Sequence, residues 1–219
     1  GFERSGNGGG AICMLAGCKG TQLINNIFEG NTVVGKGGAV LALNAAFVKS
    51  SDNRYYNNEA NQGGAICMND ASIDDKTSGL WSANDVFFGN VAKKGDLATN
   101  IASYTLPGSG GALSILLAQD KNCIIEKSTF VKNSGDGIKG RSGSGGAIFY
   151  LTRTGLLTGD NRFVIDRITN CTFFGNQGMS NDSKMSTTVW GADISSHKTG
   201  YSYIRIFDTK LQLASNMYK

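Results

Sequence analysis

The sequence has few charged residues, one proline and one histidine. Only 17% of its 219 residues are Asp, Glu, Lys or Arg, against roughly 25% in ordinary globular proteins. Because long solvated helices need more charge than this, a coiled coil or a helical bundle is disfavoured. No apolar run approaches the roughly 18 residues of a membrane-spanning helix, so direct membrane insertion is not expected.

The single histidine and the scattered charges argue against further classes of function. A Ser/His/Asp or Cys/His catalytic group would have to use His197, which lies in a polar stretch and is expected to be an exposed loop residue. The net charge is +4, but the basic residues are spread along the chain with one doublet, Lys93 and Lys94. No nucleic-acid-binding patch is therefore expected.

Glycine is abundant instead, with 31 residues, and it marks a repeated phrase of two glycines, an alanine and an aliphatic residue. Copies of this phrase begin at Gly9, Gly37, Gly63, Gly110 and Gly145, with weaker copies at Gly95 and Gly191. The first three copies are 28 and 26 residues apart. A period of this length is typical of a solenoid, a propeller or a repeat array.

A second phrase alternates with the first and consists of an aromatic residue followed three positions later by asparagine. Its aromatic residues are Phe28, Tyr55, Phe87, Phe130 and Phe173. Its asparagines are Asn31, Asn58, Asn90, Asn133 and Asn176, and the stretch from Leu213 to Asn216 is a degenerate copy. Five ordered copies of both phrases indicate one repeated structural unit.

The residues after each glycine pair alternate with period two, as Ile12 and Met14 do with Ala11 and Cys13. This period predicts strands, and the repeat is too short for a four-stranded propeller blade. We therefore predict an all-β fold, a single-stranded parallel β-helix (solenoid) of about six coils, with two or three short strands in each coil. The Ile/Val/Leu column is expected to face the core.

In such a solenoid, equivalent residues of successive coils stack about 4.8 Å apart. The five aromatic residues would form an internal aromatic ladder, and the five asparagines would form an asparagine ladder at a turn. Asparagine can adopt the left-handed conformation there and bond to neighbouring backbone amides. The glycine pairs would supply the positive-φ corner where the next strand begins.

The alternating phrases resemble the repeats of chlamydial polymorphic outer membrane proteins, over nearly the whole chain from Phe2 to Asn216. The resemblance implies a right-handed β-helix that is extracellular or exposed at the cell surface. It also implies a structural or adhesive role. The partners expected on this view are further copies of the chain, end to end, and host-surface or glycan ligands.

One β-helix domain is predicted over residues 1–219, with loop insertions near 91–109 and 152–166. Neither end resembles a polar capping unit. We therefore expect a segment of a longer solenoid or a subunit whose ends stack into a surface filament. The stretch from Tyr201 to Phe207 could instead fold back over the end as a strand.

Candidate sites are few. Asp70, Asp74 and Asp75 lie close together in sequence and are a candidate calcium loop. No catalytic residue, other metal ligand or cofactor is predicted. The alternative function is a polysaccharide-acting enzyme, either a pectate-lyase-like lyase or a glycosidase. It would need facing carboxylates or calcium-binding acids with a base, and no column of acids is visible.

Cysteines and sequons offer limited covalent chemistry. Cys13 and Cys67 share one motif position two coils apart, too far for a disulfide, and are expected to be small core residues. Cys13 and Cys18 could bridge a short loop. Asn170 and Asn181 begin Asn-x-Ser/Thr sequons and are possible glycosylation sites.

Overall fold

The structure is a computed structural model that describes residues 8–15, 17–18, 20–43, 48–70, 79–93, 108–118, 122–136, 145–153, 165–179, 194–199, 203–207 and 210–211. In these residues every regular element is a β-strand. The strands of the first two coils are β1 (Ile12–Met14), β2 (Thr21–Ile24), β3 (Ile27–Glu29), β4 (Val40–Leu43), β5 (Val48–Ser51), β6 (Arg54–Tyr56) and β7 (Glu59–Ala60).

The later coils repeat the same order of strands. The third and fourth coils contain β8 (Ile66–Asp70), β9 (Gly79–Ala83), β10 (Val86–Phe88), β11 (Val91–Ala92), β12 (Leu113–Ala118), β13 (Asn122–Glu126), β14 (Thr129–Val131) and β15 (Ser134–Asp136). The fifth and sixth contain β16 (Ile148–Arg153), β17 (Ile165–Thr169), β18 (Thr172–Phe174), β19 (Gln177–Met179), β20 (Ile194–Thr199), β21 (Tyr203–Phe207) and β22 (Lys210–Leu211).

Equivalent strands of successive coils pair in parallel and form four sheets. Sheet A has the order β1-β4-β8-β12-β16-β20, and sheet B has the order β2-β5-β9-β13-β17-β21. Sheet C has the order β3-β6-β10-β14-β18-β22, and sheet D has the order β7-β11-β15-β19. The described residues thus form an all-β parallel β-helix of six coils, as predicted. The right-handed sense stays a prediction that the resemblance supplies.

The second to fifth coils contain four strands each, where two or three were expected. The additional strands belong to sheet D, and β7 and β11 have only two residues each. Such short strands cannot show an alternating pattern in the sequence, since the side-chain period is itself two residues.

The aliphatic column faces the core, as expected. Val40 pairs with Ile66, and Leu113 pairs with both Ile66 and Ile148. These side chains are buried in one hydrophobic cluster that runs through several coils. The alternate residues of the same strands, such as Leu41, lie on the outer side of sheet A.

The last coil differs from the sequence prediction in its register. Leu211, not Leu213, pairs with Phe173 and takes the aromatic position in this coil. Residues 213–216, which the prediction used, lie outside the described part of the chain. The sixth coil carries no aromatic residue at the ladder position, so the motif could not fix the register there.

Two other expectations for the C-terminal region were wrong. Strand β21 pairs in parallel with β17, so the stretch from Tyr203 to Phe207 continues sheet B and does not fold back over an end. His197 lies within β20, opposite Leu151, and is not a loop residue. The polar residues around His197 hid a strand whose place is set by pairing with β16.

The left-handed residues at the turn after sheet C are not the ladder asparagines. The residue that precedes each ladder asparagine has a φ between 52° and 67° instead. These preceding residues are Gly30, Asn57, Gly89, Lys132 and Gly175. The predicted left-handed position was therefore wrong by one residue. The ladder asparagines instead use their side chains to bond to neighbouring backbone amides, as predicted.

The two glycines of a pair have different roles. Gly63 has a φ of 65°, in the left-handed region that favours glycine. Gly64 is required by stacking, because a Cβ atom there would collide with the carbonyl oxygen of Gly111 in the next coil. The predicted positive-φ corner is therefore the first glycine, and the second allows the coils to approach.

Residues at the margins of both predicted insertions belong to the strands and bridges of the coils. Val91–Ala92 is β11 of sheet D, and Ser109 forms a parallel bridge with Gln62. Residues 152–153 end β16, and residues 165–166 begin β17. Residues 94–107 and 154–164 lie outside the described part of the chain.

Candidate functional site

The aromatic ladder occupies the core beneath sheet C. Ring centroids of successive members are 4.7 to 4.9 Å apart, and their planes differ by 4° to 6°. This distance matches the spacing of neighbouring strands, so in-register pairing itself stacks the rings. The structure confirms the predicted ladder of Phe28, Tyr55, Phe87, Phe130 and Phe173.

The asparagine ladder joins the coils at the corner between sheets C and D. Asn90 Oδ1 accepts hydrogen bonds from the backbone N–H and Nδ2 of Asn58, at 3.0 and 2.9 Å. Asn90 Nδ2 donates to Asn133 Oδ1 and to the Tyr55 carbonyl, each at 2.9 Å. Because an amide both donates and accepts, the side-chain bonding repeats from Asn31 to Asn176.

A second polar column, missed in the sequence, lies at the corner between sheets B and C. Its members stand two positions before each ladder aromatic and are Asn26, Asn53, Asp85, Ser128 and Cys171. The backbone N–H of Asn53 donates to Asp85 Oδ1 at 2.8 Å, and that of Asp85 donates to Ser128 Oγ at 3.2 Å. The sequence could have indicated this column, since a small polar or thiol side chain stands two positions before every ladder aromatic. The residue type varies, however, so no single residue recurs.

Asp85 is buried within this column and is enclosed by donors. Asp85 Oδ2 accepts from Ser82 Oγ at 2.7 Å, while Oδ1 accepts from Asn53. Burial raises the pKa of the Asp85 carboxyl, and hydrogen bonds from Ser50, Ser82 and Asn53 oppose that rise. The Tyr55 hydroxyl bonds to Ser50 Oγ at 2.9 Å, and burial, then the Asp85 charge, raises the pKa of Tyr55. This network supports the corner and presents no carboxylate to solvent.

The outer side of sheet A is also buried over several coils. Leu41, Cys67, Ser114 and Phe149 occupy equivalent outward positions, and all are buried. Burial raises the pKa of the Cys67 thiol to about 11, although the Lys36 charge and a bond to Ser114 oppose the rise. In the second to fifth coils this outer column therefore offers no open surface, and burial disfavours the reactive thiolate form of Cys67.

The cysteine predictions were partly right. Cys13 and Cys18 are both exposed free thiols, so the Cys13–Cys18 bridge is absent. Leu41 separates Cys13 from Cys67 in the sheet, as expected. Neither cysteine is a residue of the main core, because Cys13 is exposed and Cys67 is buried on the outer side of sheet A.

The outer side of sheet B carries an aromatic residue whose polar groups are satisfied. Lys49 Nζ lies 4.4 Å from the ring centroid of Trp81. Trp81 Nε1 donates to Glu126 Oε1 at 2.9 Å. This cation–π contact and this hydrogen bond hold Trp81 against its neighbours. The Trp81 ring is therefore less available to a ligand than an uncontacted ring would be.

The outer side of sheet C is different and is the best candidate site in the described residues. We define the aromatic face as the outward side chains of β10, β14 and β18 together with the two corner lysines. Its members are Val86, Phe88, Lys127, Thr129, Val131, Lys132, Thr172 and Phe174. Phe88 is 38% exposed and Phe174 is 48% exposed, and Tyr56 contacts Phe88 edge-on with centroids 6.4 Å apart.

The charge of the aromatic face is basic. Lys127 and Lys132 are exposed, and each has a φ of 52° at a corner of the fourth coil. Lys132 Nζ lies 5.8 Å from the Phe88 ring centroid. No member of the face is a carboxylate, and the adjacent Glu126 bonds to Trp81 on sheet B. In the described part of the chain, neither lysine forms an ion pair.

The sites predicted from sequence are placed only in part. Asp70 is the last residue of β8, whereas Asp74 and Asp75 fall outside the described residues, so the calcium loop stays a prediction. No group of three His, Cys, Asp or Glu suited to a metal ion occurs among the residues described. Asn170 is exposed at a left-handed corner, with Thr172 exposed beyond it. Asn181 lies outside the described ranges.

Comparisons with known proteins do not add to this picture. No family model, curated protein or solved structure matches the chain. The resemblance to chlamydial surface-protein repeats therefore stays a prediction from the motifs. Over the ranges that the structure describes, no helix is long and apolar enough to cross a membrane.

Proposed function

We propose that the chain is a structural or adhesive β-solenoid displayed outside the cell or on its surface. It would act as a segment of a longer solenoid or as a subunit of a surface filament. Its ligands would bind to the outside of the coils, because the inside is filled by ladders and aliphatic side chains.

The aromatic face carries this proposal. Exposed aromatic rings beside unpaired positive charges are typical of surfaces that contact other molecules. The sequence repeat supports the same role, since a solenoid presents one kind of outward position at regular intervals along an extended surface. The outer side of sheet A lacks this character in the second to fifth coils, where Leu41, Cys67, Ser114 and Phe149 are buried.

The proposal is tested by measuring where the protein is and what it binds to. Antibodies raised against the purified chain should label intact cells that produce it. The folded chain should bind to cells, to immobilised glycans or to itself in sedimentation experiments, and the heat-unfolded chain is the control. Absence of surface labelling together with absence of all three kinds of binding would overturn the proposal.

A further inference from the structure

Resting on the adhesive function proposed above, we propose that the aromatic face binds an acidic polysaccharide. The chain of sugars would lie across β10, β14 and β18, with its rings on the exposed phenylalanines and its carboxylate or sulfate groups beside the two corner lysines. Three observations favour this ligand.

The first observation is the regular register of the strands that carry the face. Strands β10, β14 and β18 pair in parallel without an offset, and Phe88, Val131 and Phe174 stand in one column. Neighbouring positions in this column are about 4.8 Å apart, which is close to the rise of one sugar ring in an extended polysaccharide. A linear polymer can therefore contact several coils with successive units.

The second observation is the chemistry of the column. The two phenylalanines present apolar rings to solvent, and Thr129 and Thr172 provide hydroxyl groups in the neighbouring column. Aromatic rings pack against the C–H faces of sugars, while hydroxyl groups bond to sugar oxygens. Trp81 on sheet B is held by Lys49 and Glu126, and it does not provide an equally free surface.

The third observation is charge complementarity. Lys127 and Lys132 flank β14 on its two sides, at the corners of one coil. No carboxylate belongs to the face, so its local charge is +2 from these two lysines. An anionic polymer would gain attraction from both charges, whereas a neutral polysaccharide would not.

The two lysines can be removed without disturbing the fold. Asparagine occupies the same corner positions in other coils, at Asn84 for Lys127 and at Asn57 for Lys132, and both have a positive φ. The double variant Lys127→Asn/Lys132→Asn is therefore expected to fold as the parent does. The variant Lys49→Gln/Lys93→Gln is the matched control, because it also removes two positive charges but leaves the aromatic face unchanged. Lys49 lies over Trp81 on sheet B, and Lys93 forms an ion pair with Glu59.

Binding would be measured by biolayer interferometry on immobilised heparin, polygalacturonate and dextran, with urea unfolding midpoints to confirm folding. The parent chain should bind heparin or polygalacturonate more tightly at low salt and should not bind dextran. Lys127→Asn/Lys132→Asn should weaken binding about tenfold, and the control should weaken it less than about twofold. Phe88→Thr/Phe174→Thr should also weaken binding, at unchanged net charge.

Three results would overturn the inference. These are no binding to either acidic polymer, equal loss in the lysine variant and its control, or binding to vesicles of anionic lipid without binding to the polysaccharides. If the parent chain binds neither acidic polymer but still adheres to cells or to itself, the inference is overturned and the adhesive function stands. If the parent chain shows no binding of any kind, both are overturned.

Discussion

The two corners that flank sheet C hold successive coils together in different ways. The corner after sheet C carries asparagine in five coils, and each inner side chain both donates to and accepts from its neighbours. The corner before sheet C carries a mixed column in which Asp85 can only accept and Ser128 has one hydroxyl. The first corner uses asparagine throughout, whereas the second uses four residue types in five coils.

The comparison shows that position matters more than residue type at these corners. Both columns place a buried polar group opposite the backbone N–H of the previous coil, and so satisfy a donor that would otherwise be unpaired. Each asparagine from Asn58 to Asn176 also donates to a backbone carbonyl of the previous coil, as Asn90 Nδ2 does to Tyr55. In the mixed column Asp85 has no donor for such a bond, and the bond of Ser128 stays within its own coil. We therefore expect substitutions to cost more in the uniform ladder than in the mixed column.

The strongest test of this difference is Asn90→Ala. The change leaves the backbone N–H of Asn58 and the carbonyl of Tyr55 buried without their partner. At about 1–3 kcal/mol for each of these two groups, the free energy of unfolding should fall by about 2–6 kcal/mol in urea titrations. Asn57→Gly is the control and should change little, because Gly30, Gly89 and Gly175 occupy that position in other coils.

A smaller effect of opposite sign is expected from Asp85→Asn. In the previous coil Asn53 Nδ2 donates to the Leu23 carbonyl at 2.7 Å, and Leu23 is in register with Ser50. Asparagine at position 85 should make the equivalent bond to the Ser50 carbonyl and remove a buried charge. The variant should gain about 1 kcal/mol at neutral pH. A loss of stability at neutral pH would contradict this account.

The same variant gives a pH test. Because burial raises the pKa of Asp85 above 3.8, the folded state binds more protons than the unfolded state at pH values above 3.8. The parent should therefore lose stability relative to Asp85→Asn as the pH rises from 3.8 through the raised pKa. Urea titrations of both proteins across that range measure the difference, in which the other titrating groups cancel. Parallel pH profiles would show that Asp85 does not titrate within this range.

Ser128→Ala should have a moderate cost. Ser128 Oγ accepts from the backbone N–H of Asp85 at 3.2 Å and donates to the Glu126 carbonyl at 3.0 Å. The backbone N–H of Asp85 would then be buried without a partner, so the free energy of unfolding should fall by about 1–2 kcal/mol, measured by the same titration. A cost equal to that of Asn90→Ala would remove the proposed distinction between the two corners.

The smallest effect is expected from Tyr55→Phe. This change removes the hydroxyl that bonds to Ser50 Oγ but keeps the stacked ring. Ser50 Oγ still accepts from Asn53 Nδ2, so the cost should be about 0.5 kcal/mol. Thermal unfolding followed by circular dichroism would measure it, and a cost above about 2 kcal/mol would mean that the Tyr55 hydroxyl is essential to the polar network.

The sequence predicted the elements that repeat one kind of residue. Phe87 and Asn90 were recognised because the same residue types stand at the same offset in other coils. Asp85 was missed because its column contains four residue types in five coils. The strands of sheet D were missed because two residues, as in Val91–Ala92, are too few to show a pattern.

The candidate site was less predictable than the fold. The outward position of Phe88 follows from its place next to the ladder residue Phe87, so the paired phenylalanines were a usable signal. The exposed corner positions of Lys127 and Lys132 could not be predicted, since lysine rarely adopts a positive φ. Their place follows from the coil geometry, which imposes a left-handed residue at each corner.

The collision that a side chain at Gly64 would meet has an evolutionary consequence. The second glycines Gly10, Gly38, Gly64 and Gly111 all face the carbonyl oxygen of the equivalent glycine in the next coil, so these four junctions between coils are built alike. Duplication or deletion of a whole coil preserves these junctions, whereas gain or loss of one residue within a strand turns inward side chains outward. The length of such a protein can therefore evolve in steps of one coil, and the number of binding positions along its surface changes with it.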